Sequence, residues 1–258
     1  MEKREILDKY YYLTILTVAK NSITRRYQDS FLGFLWTLLT PASQITIYAL
    51  VMPKIMKFPS ESYVPFLISS MLFWMFLSSA IISSSSALTS NAGMITRCLV
   101  SKTIFVIAEL AQQFYFFVVS LTIGYGFSCF AYGTFHPNII FLPLYLIPVL
   151  MALIPVMIVI SFITVYIKDF KEVITIAMNF IFWATPIVYP IEVFSPDKRW
   201  LFYFNPFYVM IKPISGLVFK GEIPSYMDTL RLAALVVISF AISYPLYRKL
   251  RKNYIFYL

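Results

Sequence analysis

The stretch Thr24–Pro53, TRRYQDSFLGFLWTLLTPASQITIYALVMP, decides how the chain is read. Paired cations at Arg25 and Arg26 precede Tyr27 and a single acid at Asp29, and no charge falls between Ser30 and Pro53. A membrane-spanning helix needs about 20 mainly apolar residues, and cations just before it favour a cytoplasmic N-terminal end. A first span over 30–53, entered from the cytoplasm, is therefore expected.

Composition extends that reading to the whole chain. Of 258 residues, 60% are hydrophobic and 13% charged, too little polar surface to cover a soluble globule. An all-α, multi-pass membrane protein is predicted. Residues 1–26 are rich in Glu, Asp, Lys and Arg and hold no apolar signal core, so the first span is expected to direct its own insertion. The net charge of +9 is scattered over short loops and the two termini, which argues against nucleic acid as a partner and fits a positive-inside bias. Cys98 and Cys129 fall near opposite membrane faces in this reading, with no disulfide framework and no zinc-type spacing.

Taken in order, residues 1–29 carry Ile6, Tyr10, Leu13 and Thr17, with Leu7, Tyr11 and Val18 beside them, at helical spacing against Lys3, Arg4, Asp8, Lys9 and Lys20. Either a helix lying on the cytoplasmic leaflet or a simple positively charged tail accounts for this pattern. Uncharged runs then predict spans over about 63–90, 104–132, 139–166, 173–190 and 230–247. The second holds Ser78, Ser79, Ser83, Ser84, Ser85 and Ser86, which suit either close helix packing or the lining of a polar path. Glu109, near the inner end of the third, is either a functional carboxylate or the partner of a cytoplasmic cation. His136 lies on an outer turn, where a solvated side chain is expected, and Arg231 stands at an outer end where it is able to snorkel. Between Glu192 and Thr229, the runs Trp200–Met210 and Pro213–Phe219 are apolar and aromatic but too short to span, and read as re-entrant or interfacial helices. Six spans place both termini in the cytoplasm, where cations then outnumber those outside two to one.

Several fixed spacings carry a resemblance. Arg25, Arg26 and Tyr27, followed by Ser30, Leu32, Gly33, Leu35, Trp36 and Pro41, resemble the opening of the permease subunits of type-2 ABC exporters of O-antigen, capsule or teichoic-acid polysaccharides. Gln28 stands where that family commonly has a cation. The likeness returns at Tyr166–Phe170, with Lys168 in place of the usual Arg before Asp169, at Thr185–Tyr189, and at Asn205–Pro206 followed by Gly216, Gly221 and Pro224.

The resemblance implies a single six-span transmembrane domain over 1–258, with an interfacial N-terminal helix and short gate helices between the last two spans. It implies a homodimer in the bacterial cytoplasmic membrane that binds two copies of a separate ATPase, with ATP and magnesium held by that partner. The implied substrate is a polysaccharide on an undecaprenyl-type lipid carrier. Aromatic pore lining is implied at Trp36, Tyr48, Phe182, Trp183 and Tyr189. ATPase coupling is implied at Asn91, Arg97 and Lys102, helped by Lys168 and Asp169, although Leu99 and Val100 replace the family's Phe-Pro there. Entry of the lipid head is implied at Arg25, Arg26 and Tyr27.

The residues themselves offer no catalytic constellation and no metal ligand set. Gly216–Gly221 approaches a phosphate-binding loop, but Glu222 replaces the required Lys, so ATP hydrolysis is expected in another chain. Two other readings stay open: a permease of the same fold for small lipophilic compounds, and an integral membrane enzyme, which lacks the clustered carboxylates or histidines it needs.

Overall fold

The computed structural model describes residues 13–21, 23–24, 31–56, 60–97, 101–252 and 254–257, and among these every regular element is a helix. In chain order they are α1 (13–21), α2 (Trp36–Met56), α3 (Ser60–Ser86), α4 (Ala92–Arg97), α5 (Thr103–Tyr132), α6 (Leu142–Tyr166), α7 (Phe170–Trp183), α8 (Pro206–Phe219) and α9 (Tyr226–Leu250). Five of them, α2, α3, α5, α6 and α9, are long and apolar enough to cross a membrane.

A compact apolar cluster marks one end of the bundle. Ile15, Val18 and Ala19 of α1 pack there with Leu88, Ile95, the start of α5 at Ile104 and Phe105, the end of α6 at Phe162 and Val165, and Tyr254 beyond α9. Of the residues expected at helical spacing, Val18 packs on the bundle, whereas Leu13 and Thr17 are exposed. Ile15, Val18 and Ala19 share one helical face, and packing against the bundle selects that face. Ile6, Leu7, Tyr10 and Tyr11 lie outside the described residues, as do Arg25, Arg26, Tyr27 and Cys98.

Helix α3 is the hub, packing against α2, α5, α6, α7 and α8. Its hydroxyls explain how. Ser84 and Ser85 are buried and donate to the carbonyls of Ile81 and Ile82 at 2.7 and 2.6 Å, so their polar atoms are satisfied within the helix while their small size lets neighbours approach. A methyl group at Gly124 of α5 would stand 2.8 Å from Leu72 Cδ1 of α3, which shows how close the two helices come. Phe76 stacks on Phe117 across that contact, with ring centroids 4.9 Å apart.

The chain traverses the bundle six times, and the fifth traverse is unlike the others. Helix α6 ends at the α1 end and α9 begins at the opposite one, so α7 and the stretch after it must carry the chain across. Where a span over 173–190 is expected, α7 has 14 residues, about 21 Å at 1.5 Å per residue, and the backbone to Pro190 is not helical. Pro186 is the reason: proline has no N–H to continue the ladder and disfavours the helical state at Thr185.

The carbonyls freed by that early end all find donors. Phe180 O accepts Ala184 N at 3.0 Å and Phe182 O accepts Thr185 N at 3.3 Å. Thr185 Oγ1 donates to Ile181 O at 2.7 Å, the Tyr189 hydroxyl donates to Trp183 O, and Asn205 Nδ2 donates to Ala184 O at 3.2 Å. Asn205 also donates to Thr185 Oγ1 at 2.8 Å, while its Oδ1 caps α8 by accepting from Phe207 N at 2.9 Å. One amide thus closes α7 and opens α8.

Helix α8 is too short to cross but is buried, with Leu217 and Ile214 almost fully enclosed and Ser215 Oγ 2.9 Å from Ser69 and Ser70 of α3. Its far end is latched to the α5–α6 turn. His136 is not left in solvent, as expected of a loop histidine, because Nε2 lies 3.0 Å from Phe219 O and Asn138 Nδ2 donates to Gly221 O at 2.7 Å. Gly221 has φ +66°, and a methyl group there would stand 2.6 Å from His136 Cγ, so only glycine fits. Arg231, near the start of α9, reaches back towards the N-terminal end of its helix. It lies 3.9 Å above the Tyr203 ring and 3.3 Å from Asp228, whose same oxygen receives Lys212 at 2.7 Å.

Asn205→Ala removes the α8 cap and two donors at the end of α7, and should cost about 2 kcal/mol or more. A lowered unfolding temperature of the detergent-purified chain checks this; Asn205→Ser, which keeps a capping oxygen, should recover part of the loss, and unchanged stability in both variants would contradict the assignment.

Candidate functional site

Helix α2 is hardly covered by the rest of the chain: in its most apolar window only 6% is buried. Along it Trp36, Thr40, Gln44 and Tyr48 recur at intervals of four, so they form one gently winding face of rings, a hydroxyl and an amide. Gln44 stands midway along the span Gly33–Ile55 and makes no hydrogen bond to the described residues. An uncapped amide at mid-membrane depth is costly against lipid, so this face calls for water, substrate or another protein chain.

A cavity of about 470 Å³ opens beside that face, between α2, α3 and α7. Gln44 and Tyr48 supply one wall, Trp74 and Ser78 of α3 the floor, and Asn179 and Trp183 of α7 the other wall. The rings meet edge to face or tilted: Tyr48 lies 6.0 Å from Phe182 and 6.5 Å from Trp183, and Trp74 lies 5.7 Å from Phe182. Next along α2 is a smaller cavity of about 140 Å³ lined by Trp36, Thr40, Ser79, Gln113 and Ser120, and the two share Met75 and Ser79. Together they make a continuous strip of rings, hydroxyls and amides, with no ionised side chain in either lining.

Of the five aromatics singled out from the sequence, Tyr48, Phe182 and Trp183 come together at the larger cavity, and Trp36 lines the smaller one. Tyr189 lines neither; its hydroxyl serves the α7 carbonyl at Trp183 and its ring packs on Phe194 at 5.7 Å. Phe182 is 8% exposed and as much core as wall, whereas Trp183 and Trp36 are 55% and 51% exposed. Sequence reasoning missed Trp74, Gln44 and Asn179. The two amides were visible as polar residues inside uncharged spans; Trp74, within the evenly apolar run Met71–Leu77, had no periodic signal. In the serine-rich helix Ser84 and Ser85 serve packing, while Ser78 and Ser79 line the cavities.

The residues singled out for ATPase coupling gather at the α1 end. Asn91 spends its amide on the Ala87 carbonyl at 2.8 Å and so closes the end of α3; Arg97 ends α4 and Lys102 precedes α5. Lys168 and Asp169 are exposed on the turn between α6 and α7. Glu109 is half-buried in the same half of α5.

An all-helical bundle with five long apolar helices and an internally satisfied broken traverse is a multi-pass membrane protein. Residues 14–219 match the ABC-2 type transporter family, and the chain belongs to it. It is similar to a protein from Myxococcus xanthus named O-antigen export system permease protein RfbA, 22% identical over 241 residues that cover 91% of this chain and 92% of that protein. Two Klebsiella pneumoniae proteins of the same name are 21% and 20% identical over 232 residues, 88% of this chain and 89% of each of theirs.

Two tryptophans on one cavity should separate fold from function. Trp74→Ala empties a site that is 6% exposed and should cost about 3 kcal/mol or more in unfolding measurements, whereas Trp183→Ala should leave stability within about 1 kcal/mol and lower transport. Equal effects on stability would show that Trp183 is only a packing residue.

Proposed function

We propose that this chain is the permease subunit of an ATP-driven exporter that moves a lipid-linked polysaccharide across the bacterial cytoplasmic membrane. The observation that carries the proposal is the strip of rings, hydroxyls and amides on α2 and its two cavities, in a helix the chain itself leaves uncovered. Aromatic faces suit the C–H faces of sugar rings, and hydroxyls and amides suit their hydroxyl rims. The names of the three relatives support the same substrate class.

In this reading two copies of the chain face each other through α2 and α7 and enclose the passage, with Trp36, Tyr48, Phe182 and Trp183 along it. The α1 end is cytoplasmic, with both termini there; six traverses and the shared packing of α1 with Tyr254 support that assignment. Two copies of a separate ATPase, which hold ATP and magnesium, dock at this end on α4, Arg97, Lys102, Lys168 and Asp169. Arg25, Arg26 and Tyr27 meet the phosphate of an undecaprenyl-type carrier at the membrane surface. A permease for small lipophilic compounds shares the family, but a cavity with Gln44, Ser78 and Asn179 in its walls is more polar than such cargo needs.

Depletion of the chain in its native host, followed by fractionation and lipid extraction, tests the proposal. Lipid-linked glycan should accumulate inside while surface glycan falls; unchanged glycan on both sides would contradict polysaccharide export and favour a small lipophilic cargo.

A further inference from the structure

We infer that the polymer crossing this cleft is an uncharged glycan, engaged through its hydroxyl groups by the amides of Gln44 and Asn179, and that polyanions such as polyol phosphates are excluded. The inference rests on the polysaccharide-export reading and goes beyond it by naming the substrate's charge.

The three walls of the cleft come from sequence that carries no ionised side chain. None occurs between Phe31 and Pro53 on the α2 side, between Ser62 and Thr96 along α3, or between Val173 and Ile191 along α7 and its continuation. What these walls present is rings, aliphatic side chains, hydroxyls, thioethers and amides, Gln44 and Asn179 in the larger cavity and Gln113 in the smaller. Pores that pass anions or phosphates place rings of Arg or Lys along the path, because a negative charge brought between low-dielectric walls needs a fixed positive partner. A polymer with a phosphate or carboxylate in each repeat would meet no such partner here. Among the described residues, cations lie instead at the two ends of the bundle, at Lys102, Lys168 and Arg248 on one side and Lys212 and Arg231 on the other.

The amides are suited to a neutral sugar for a complementary reason. Gln44 and Asn179 line the same cavity from opposite walls, both are exposed, and neither has a hydrogen-bond partner among the described residues. Each offers two N–H donors and a carbonyl acceptor, so it can meet a hydroxyl in either role. As a chain slides past, successive hydroxyls replace one another on the same amide, while Trp74, Tyr48 and Trp183 offer ring faces and edges that accept any sugar face. A fixed charge in the same place would hold a polyanion at each repeat; exchangeable neutral contacts orient the polymer and release it.

The test uses the native host depleted of this chain and complemented with wild type, Gln44→Leu, Asn179→Leu or the double variant at matched membrane levels. Surface polymer is extracted and its repeat analysed for sugars, phosphate and uronic acid. The polymer lost on depletion should contain neither phosphate nor carboxylate in its repeat, and the double variant should export at least threefold less of it. A lost polymer with an anionic group in every repeat would overturn the charge inference while leaving polysaccharide export standing. Wild-type export in both single variants and the double would overturn the role of the amides. No loss of any surface polymer on depletion would remove the export reading itself and this inference with it. If the double variant fails to reach the membrane, the single variants decide by the same measure.

Discussion

The constraint on which the structure depends is that a carbonyl or N–H buried away from water must be paired inside the protein. Five traverses meet it in the ordinary way, by remaining helical. The fifth in chain order does not, because Pro186 ends α7 after 14 residues. Thr185, Tyr189 and Asn205 then supply the missing donors, so that the unwound stretch can lie buried with Ile187 and Val188 fully enclosed. The same Asn205 starts α8, and the hydroxyl of Tyr63 on α3 holds Val188 O at 2.7 Å. The broken traverse, the short helix after it and the central helix are thereby one hydrogen-bonded unit.

That unit has a functional corollary. A helix that stops early leaves Trp183 at a free end rather than wrapped within a further turn, and with Asn179 one turn earlier it faces α2 across a cavity. Helix α2 contributes little to the core and is free to present a polar face, while α3, saturated with its own hydroxyl-to-carbonyl bonds, forms the floor without demanding partners from the cavity. Stability and cavity lining are divided between elements. The core holds α3, α5, α6 and α8 together, and the lightly packed α2 and α7 supply the exposed walls of the larger cavity.

Much of this was legible in the sequence, and the limits have physical reasons. Charge-free runs located the long helices because the cost of burying charge in hydrocarbon leaves a strong one-dimensional trace. Thr185–Pro186 and Asn205–Pro206 were recognisable as motifs, but their purpose, reciprocal capping across 20 residues of chain, is a three-dimensional fact. Tyr189 was a pore candidate through the resemblance alone; its hydroxyl serves the Trp183 carbonyl, and its ring lines neither cavity. His136 was read from the solvent exposure expected of a loop and is instead engaged by the turn after α8, while Arg231, expected at the outer end of a span, is held near the start of α9 by Asp228 and Tyr203. Within α1, Ile15, Val18 and Ala19 turn to the bundle and leave Leu13 and Thr17 exposed, since a short helix with apolar residues on several sides takes its orientation from the surface it packs on. Trp74 was hidden because an aromatic in a fully apolar helix carries no periodicity.

The central claim is that the face of α2 bearing Thr40 and Gln44 lines a hydrated passage while another exposed side of the helix, at Leu39 and Leu50, faces lipid. Single cysteines at these four positions, in a chain with Cys98→Ala and Cys129→Ala, can be exposed in cells to a charged, membrane-impermeant thiol reagent. The account predicts that Thr40→Cys and Gln44→Cys are modified and that Leu39→Cys and Leu50→Cys are not. Equal reactivity at all four, or protection of Thr40→Cys and Gln44→Cys alone, would contradict it.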